Sequence, residues 1–130
     1  MEFLVVFLGG GAGSLSRYLL SVWVGSLWDG SFPLGTFLIN LIGCFLIGFL
    51  GGLSEKTTLD PNLRLLLQTG FLGGFTTFSS FGLETVQLFR KGEGVVATAN
   101  VLGSNLLGIG LVVAGFFAAK ALWSSIARVK

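Results

Sequence analysis

Apolar residues in this chain fall into four long runs that are separated by short polar segments. A helix needs about 20 residues to cross the hydrocarbon core of a bilayer, and each run is long enough to do so. The pattern therefore predicts four transmembrane helices, over approximately residues 3–24, 32–53, 63–90 and 95–123. Because these spans and their loops occupy nearly the whole chain, we expect a single transmembrane domain over residues 1–130.

The third run differs from an ordinary membrane helix because adjacent glycines, threonines and serines lie near its centre. Glycine and threonine both disfavour helix, and irregular backbone at membrane depth is tolerated only where it is buried in protein or lines an aqueous path. We therefore predict a break in the third helix. The alternative is a kinked but continuous helix whose hydroxyls bond to carbonyls of the preceding turn. The segment reads Gly70-Phe71-Leu72-Gly73-Gly74-Phe75-Thr76-Thr77-Phe78-Ser79-Ser80-Phe81.

The ends of the third run carry clear helix signals. Asp60 is suited to cap the helix and Pro61 to occupy its first turn. The sequence Arg90-Lys91-Gly92 places cations near the C-terminus of the helix and a glycine after it. These signals predict a helical stretch that begins near Asp60 and ends near Arg90.

Composition agrees with a membrane protein, since 52% of the residues are hydrophobic and 11% are charged, against about 25% charged in soluble domains. The net charge of +2 comes from loops and termini, so we expect no nucleic-acid partner. The chain has no histidine and one cysteine, Cys44, so no intrachain disulfide can form. Since no activated nucleophile or paired carboxylate is recognisable either, we expect that the protein is not an enzyme.

The distribution of cations gives only a slight bias between the two sides of the membrane. An even number of crossings places both termini on one side, and the side richer in lysine and arginine normally faces the cytoplasm. Two interpretations follow: the termini face the cytoplasm weakly, or the chain inserts in both directions. The side of the termini holds Lys56, Arg64, Arg128 and Lys130, with Lys120 near them, and the other side holds Arg90 and Lys91, with Arg17 near them.

Small residues at a spacing of four predict close helix contacts. The pairs are Gly9 with Gly13 and Gly48 with Gly52. Four short helices do not easily enclose a pore, so we also expect an oligomer.

Several polar side chains fall inside the spans. An amide in hydrocarbon must find a partner, so Asn40 is either an interhelical hydrogen-bonding group or a donor in an ion path. Arg17, near a span end, either snorkels to the interface or gives a vestibule a positive potential. Asn100, Ser104 and Gly108 recur every four residues on the fourth span, which predicts a polar and then small stripe.

Phenylalanines recur every three residues at Phe75, Phe78 and Phe81, so we expect them to lie roughly along one stripe. Such a stripe is usually core or lipid-facing. Here it alternates with the hydroxyls of Thr77, Ser79 and Ser80, and the edge of an aromatic ring is the positive part of its quadrupole. The combination predicts a weak anion-binding track.

The charge pattern within the spans favours an anion. Glu84 lies toward the end of the third span and no Asp or Glu lies near the centre of any span, whereas a proton-coupled exporter of cationic drugs needs a membrane carboxylate. The polar groups in the spans are mostly hydrogen-bond donors. The sequence therefore predicts a protein that moves a small anion.

The chain resembles the Fluc/CrcB family of fluoride channels over essentially its whole length. The motifs that carry the resemblance are Gly10-Gly11-Ala12-Gly13 through Arg17-Tyr18, Gly35-Thr36-Phe37 to Asn40 and Gly43, and above all the segment from Gly70 to Phe81. The resemblance implies an all-α subunit of four transmembrane helices with the third broken, which forms an antiparallel, dual-topology homodimer with two fluoride pores. It also implies a structural sodium ion at the dimer centre.

The function that the resemblance implies is a passive, fluoride-selective channel in the cell inner (plasma) membrane, which exports fluoride and protects the cell from its toxicity. Two alternatives remain: a small dual-topology multidrug exporter, and a packing subunit without transport activity. By position, Phe78 and Phe81 resemble the paired pore phenylalanines of the family, Asn40 its pore asparagine and Arg17 its vestibule arginine. Thr77, Ser79 and Ser104 match polar positions of the pathway. Gly73 and Thr76 match the positions whose backbone carbonyls bind sodium.

The chain departs from the family pattern at two positions. Asn100 stands where many relatives have an aromatic hydroxyl, which puts its role as a pore contact in doubt. Ser80 replaces the commoner threonine, which is a milder change.

Overall fold

The computed structural model describes residues 1–128, and Lys130, counted above among the cations on the side of the termini, lies outside them. The described residues are helical apart from short connections. The helices are α1 (Glu2–Leu27), α2 (Leu34–Ser54), α3 (Pro61–Arg64), a π-helical segment (Leu65–Leu72), α4 (Gly73–Phe75), α5 (Phe78–Arg90) and α6 (Gly94–Ala127).

Three of these helices, α1, α2 and α6, are long and apolar enough to cross a membrane. Many of their large apolar side chains are exposed on the outside of the bundle, among them Phe3, Phe7, Ile109 and Phe117. In water such a surface would drive aggregation, so the exposed faces indicate contact with lipid. The chain is an all-helical membrane protein.

The helix is broken in the third apolar run. Thr76 and Thr77 both have extended backbone, with ψ of 156° and φ of −148° respectively, and they separate α4 from α5. The predicted break is therefore confirmed, and the alternative of a kinked but continuous helix is wrong. Neither half qualifies as a membrane span by itself.

Both ends of this run follow the sequence signals. The Asp60 carboxylate accepts hydrogen bonds from the backbone N–H groups of Asn62 and Leu63, at 2.9 and 3.0 Å, and Pro61 is the first residue of α3. At the other end α5 stops at Arg90, and Gly92 adopts φ of 80°, a left-handed conformation that glycine adopts without strain.

The sequence does not predict the π-helical segment Leu65–Leu72, which leads into α4. Single π-turns inside α-helices are often found at functional sites. Here the wider turn is continuous with α3 and α4, so the backbone departs from regular α-helix over two turns before it breaks.

Glycines bring the first half of the broken helix into backbone contact with α1. Gly9 of α1 faces Gly70, and a Cβ atom added to Gly13 would overlap the carbonyl oxygen of Phe71. The same type of contact joins α2 to α6, where a Cβ atom at Gly48 or Gly52 would overlap a backbone carbonyl of α6. The close contacts predicted for both glycine pairs are confirmed.

We expect Gly13→Ala to destabilise the protein by about 1–3 kcal/mol, because the added methyl group meets fixed backbone and not a flexible side chain. Gly11→Ala is the matched control, since a Cβ atom there meets nothing within 4 Å, and surface changes of this kind alter stability by about 0.5 kcal/mol or less. The measurement is the temperature at which each purified variant loses its elution peak in detergent. Equal midpoints for the two variants would contradict the predicted contact.

Candidate functional site

A cavity of about 400 Å³ lies beside the break and opens to the surface of the subunit. It brings together residues from α2, from both halves of the broken helix and from α6. Five of the seven predicted pathway residues line it, together with both predicted sodium-binding positions. The predicted residues in its wall are Asn40, Gly73, Thr76, Thr77, Phe78, Phe81 and Ser104, and other residues of the wall include Cys44, Gln68 and Asn105.

A second cavity, of about 360 Å³, lies on the opposite side of Thr77. Arg17 lines this cavity and not the first, and Thr77 is the only residue common to the two walls. Its other lining residues are Ser14, Tyr18, Ser21, Thr36, Ile39, Ser80 and Glu84. The predicted pathway residues are therefore divided between two adjacent cavities that meet at the break.

Ser79 is the one predicted pathway residue that lies in neither wall. Its side chain is exposed, and its hydroxyl oxygen lies 3.3 Å from that of Thr77. Ser79 thus contacts the site only through the Thr77 hydroxyl.

Asn40, on the neighbouring helix α2, forms hydrogen bonds to the backbone at the break. Its Nδ2 donates to the Thr77 carbonyl at 3.0 Å, and its Oδ1 accepts the Thr77 backbone N–H at 2.9 Å. The amide thereby replaces the partners that a continuous helix would give this residue. An amide carries two N–H donors, so one remains for the cavity that Asn40 lines, and the two interpretations of this residue are compatible.

Thr77 also caps the second half of the broken helix. Its hydroxyl oxygen accepts the backbone N–H of Ser80 at 3.3 Å and contacts the Ser80 hydroxyl at 3.1 Å. Helix α5 therefore begins directly at the two cavities, and the positive end of its dipole faces them. The electrostatic consequence is that the helix N-terminus favours an anion near Thr77.

The backbone carbonyls of Gly73 and Thr76 lose the donors that a continuous helix would supply. Those donors would be the N–H groups four residues later, at Thr77 and Ser80. The first donates to Asn40 and the second to the Thr77 hydroxyl. Both carbonyls belong to residues that line the first cavity, and carbonyl oxygens of unwound membrane helices are suitable ligands for a monovalent cation.

No side-chain cluster offers a competing metal site. Within residues 1–128 no group of three or more His, Cys, Asp or Glu side chains is placed to hold a metal ion.

The rings of Phe78 and Phe81 lie side by side in the wall of the first cavity, with centroids 5.5 Å apart and planes at 41°. Phe75 does not share their stripe, and that expectation is wrong. It is buried in the other half of the helix and stacks on Phe71 at 5.8 Å. Thr76 and Thr77, which are extended, change the direction in which the side chains after the break point. The spacing of the phenylalanines in the sequence therefore does not predict their arrangement.

Glu84 and Thr36 are polar residues of the second cavity that were not among the predicted pathway residues. The Thr36 hydroxyl donates to Glu84 Oε1 at 2.7 Å, while Glu84 Oε2 is buried and has no hydrogen-bonding partner within residues 1–128. The carboxylate of Glu84, expected only toward the end of the third span, therefore lies beside the site. The sequence contained a pattern that could have placed these two residues near the site. Glu84 follows Ser80 by four residues and Thr36 precedes Asn40 by four, so each pair shares a helix face.

These features define a class: an all-helical membrane protein with a broken helix. At the break lie two carbonyls that have lost their helical donors, a helix N-terminus and two cavities. Comparison with known proteins narrows the class. The chain matches the family described as "CrcB-like protein, Camphor Resistance (CrcB)" over residues 4–116, and it belongs to that family.

Relatives are similar to this chain over nearly all of their length. One is named "Fluoride-specific ion channel FluC" in Helicobacter pylori strain J99 and is 49% identical over 122 residues, covering 92% of this chain and 94% of the relative. Another of the same name, in Hydrogenobaculum sp. strain Y04AAS1, is 48% identical over 118 residues, covering 90% and 96%. The predicted family is confirmed. As a member of a channel family the protein is not an enzyme, which confirms that prediction too.

Proposed function

We propose that the protein is a passive, fluoride-selective anion channel that exports fluoride and protects the cell from its toxicity. The name of the relatives supports the ion. The observation that carries the proposal is the break itself, because Asn40, Thr77, Phe78 and Phe81 converge there on one small cavity. Donors and ring edges meet at the point where a helix N-terminus also faces the cavity.

A passive pore is sufficient for this task. Fluoride enters cells from acidic surroundings as neutral HF, ionises near neutral pH and is then trapped, because the anion does not cross lipid. A negative-inside potential favours exit of an anion by about 2.3 kcal/mol per 100 mV. No pump or coupled ion is therefore required.

Selectivity follows from size and from fixed donors. Fluoride is small, so its lost water must be replaced by donors at close range. One N–H of Asn40 and the ring edges of Phe78 and Phe81 supply them at the first cavity. The Thr77 hydroxyl donates to the Ser80 hydroxyl at 3.1 Å, so it donates to the ion only by giving up that bond. Arg17, with its positive charge, attracts anions to the second cavity. Ser79 and Ser104 complete the proposed pathway.

We assign four crossings to the subunit: α1, α2, α6 and the broken stretch from Pro61 to Arg90. The half from Pro61 to Phe75 is about 22 Å long and α5 about 20 Å, at 1.5 Å per residue. Each half is shorter than the hydrocarbon core of about 30 Å, and the two together exceed it. The break then lies near the middle of the membrane.

A second, antiparallel copy completes the site in this proposal. Phe78, which lines the first cavity, is 82% exposed in the single subunit. The non-helical backbone of Thr76 and Thr77 lies beside this cavity, and at membrane depth such backbone is tolerated only where it is buried in protein or lines a water-filled path. The copy that covers it would make a homodimer with two pores in the cell inner membrane. The slight charge bias between the two faces supports dual topology.

In such a dimer the carbonyls of Gly73 and Thr76 from both copies would hold one structural sodium ion. The loss of their helical donors supports this role, since an unsatisfied carbonyl in a dry setting is unfavourable by several kcal/mol. A divalent ion would be a poor fit, because hard divalent cations favour sites rich in carboxylates.

Transport is the first test. We expect reconstituted protein to release fluoride from liposomes within seconds, without ATP or a proton gradient, and to retain chloride. The measurement is anion-electrode recording of efflux from vesicles loaded with fluoride or chloride and clamped by a potassium gradient with valinomycin. Equal efflux of the two ions would contradict selectivity. Strict dependence on a proton gradient would favour a coupled exporter that uses the Glu84 carboxylate.

Orientation is the second test. We expect a C-terminal tag on α6 to be found on both sides of the membrane, because single copies insert in both directions and pair antiparallel. Accessibility of the tag to an impermeant label in intact cells, before and after lysis, measures the two fractions. A tag found wholly on one side would exclude the antiparallel dimer and leave a parallel assembly.

A further inference from the structure

A chain of hydrogen bonds runs through the interior between α5 and α6. The Thr85 hydroxyl contacts the Phe81 carbonyl at 2.7 Å, Asn100 Nδ2 contacts the Thr85 hydroxyl at 3.0 Å, and the Ser104 hydroxyl contacts Asn100 Oδ1 at 3.3 Å. Asn100 is 1% exposed and lies in neither cavity wall, whereas Phe81 and Ser104 line the first cavity. The chain therefore begins and ends at the cavity but passes through the core.

The position of every proton in this chain follows from its first member. A backbone carbonyl only accepts, so the Thr85 hydroxyl must donate its single proton to Phe81. Thr85 must then accept from Asn100, which fixes the amide with Nδ2 toward Thr85 and Oδ1 toward Ser104. Because Oδ1 only accepts, the Ser104 hydroxyl donates its single proton to Asn100. Ser104 consequently turns its lone pairs, and not its proton, toward the cavity.

We propose that Asn100 is a positioning residue that holds the Ser104 proton away from the cavity, so that Ser104 donates to a passing halide only by giving up its bond to Asn100. The inference rests on the proposed function and adds a residue that touches no ion. The competing bond of 3.3 Å is long for an O–H···O contact, so the exchange is easy in both directions. Conduction requires an ion to bind firmly enough to enter and weakly enough to leave. The proposed role of Asn100 is to keep the affinity at Ser104 low.

The test is the fluoride concentration that half-saturates initial efflux from proteoliposomes. Asn100→Leu keeps the branched shape and the number of side-chain heavy atoms, leaves the Thr85 hydroxyl bonded to the Phe81 carbonyl, and frees the Ser104 proton. We expect half-saturation at a concentration about fivefold lower, the equivalent of one ordinary hydrogen bond of about 1 kcal/mol, with a lower maximal rate. Ser104→Ala in the Asn100→Leu background should abolish the shift, since no proton is left to donate.

Thr85→Val gives a second, independent variant. Without the Thr85 hydroxyl, the amide of Asn100 is free to turn and to donate from Nδ2 to the Ser104 oxygen. The Ser104 proton is then free, so half-saturation should again move to a lower fluoride concentration. Thr98→Val is the matched control: this threonine also donates to the carbonyl four residues back, at 2.8 Å, but on an exposed face of α6. It should leave the concentration dependence unchanged.

The outcomes separate the inference from the proposed function. If wild-type protein passes no fluoride, the proposed function itself fails. If wild-type protein conducts and both Asn100→Leu and Thr85→Val keep its concentration dependence, Asn100 does not position the Ser104 proton. A shift that survives Ser104→Ala, or a loss of maximal rate without a shift, would also overturn the inference. Should Asn100→Leu not yield folded protein, Thr85→Val decides alone.

Discussion

Replacing Asn40 by aspartate is expected to reduce fluoride efflux by about a thousandfold. The carboxylate would lie in the wall of the first cavity, and two like charges about 4 Å apart repel by about 4 kcal/mol at an effective dielectric constant of about 20. Aspartate keeps an acceptor for the Thr77 N–H, so of the two hydrogen bonds between residue 40 and Thr77 only the one to the Thr77 carbonyl is lost. Efflux from proteoliposomes at equal protein density measures the effect.

Two variants separate charge from structure in this experiment. Asn40→Leu removes both hydrogen bonds to Thr77 without adding charge and leaves a buried N–H unpaired, so it should lower stability by about 1–3 kcal/mol. Asn62→Asp makes the same chemical change on the exposed helix α3 and should leave efflux unaltered. A folded Asn40→Asp protein that conducts at the wild-type rate would remove Asn40 from the ion path.

Complete removal of sodium is expected to lower fluoride efflux to the background of empty liposomes. The carbonyls of Gly73 and Thr76 have lost their helical donors, and without a cation they would repel one another across the proposed dimer axis. The measurement is efflux after purification and reconstitution with a large organic cation in place of sodium. Return of activity when sodium is added equally to both sides would show that no sodium gradient is needed.

The direction of an imposed sodium gradient provides the control for the sodium-removal experiment. A structural ion predicts the same efflux for inward and outward gradients at equal saturation of the site, whereas a coupled ion predicts opposite effects. Full fluoride efflux from protein shown to be free of sodium would refute the proposed role of Gly73 and Thr76.

The break in the third run was predictable because its causes are local. Adjacent glycines and threonines weaken a helix wherever they occur, and Asp60, Pro61 and Gly92 mark the ends of the run through backbone rules that need no tertiary information. The sequence therefore located the candidate site within a few residues.

The partners at the break were not predictable, because they come from distant parts of the chain. Asn40 and Thr77 are 37 positions apart, and Thr36 and Glu84 are 48 apart. Glu84 seemed to lie near a span end, but α5 restarts at Phe78, so Glu84 is less than two turns from the break. The π-helical segment has no sequence signal that separates it from an ordinary apolar helix.

Helix α6, from Gly94 to Ala127, contains 34 residues and is about 51 Å long, against a hydrocarbon core of about 30 Å. The excess must be taken up by tilt and by protrusion. The ion pair between Lys120 and Glu55, at 2.7 Å, joins the later part of α6 to the end of α2. About 10 Å of helix then extends beyond Lys120. Since the glycine contacts join α2 and α6, the two helices must tilt together. A thinner or thicker bilayer would change the tilt of both helices at once, and with it the position of Ser104 on α6.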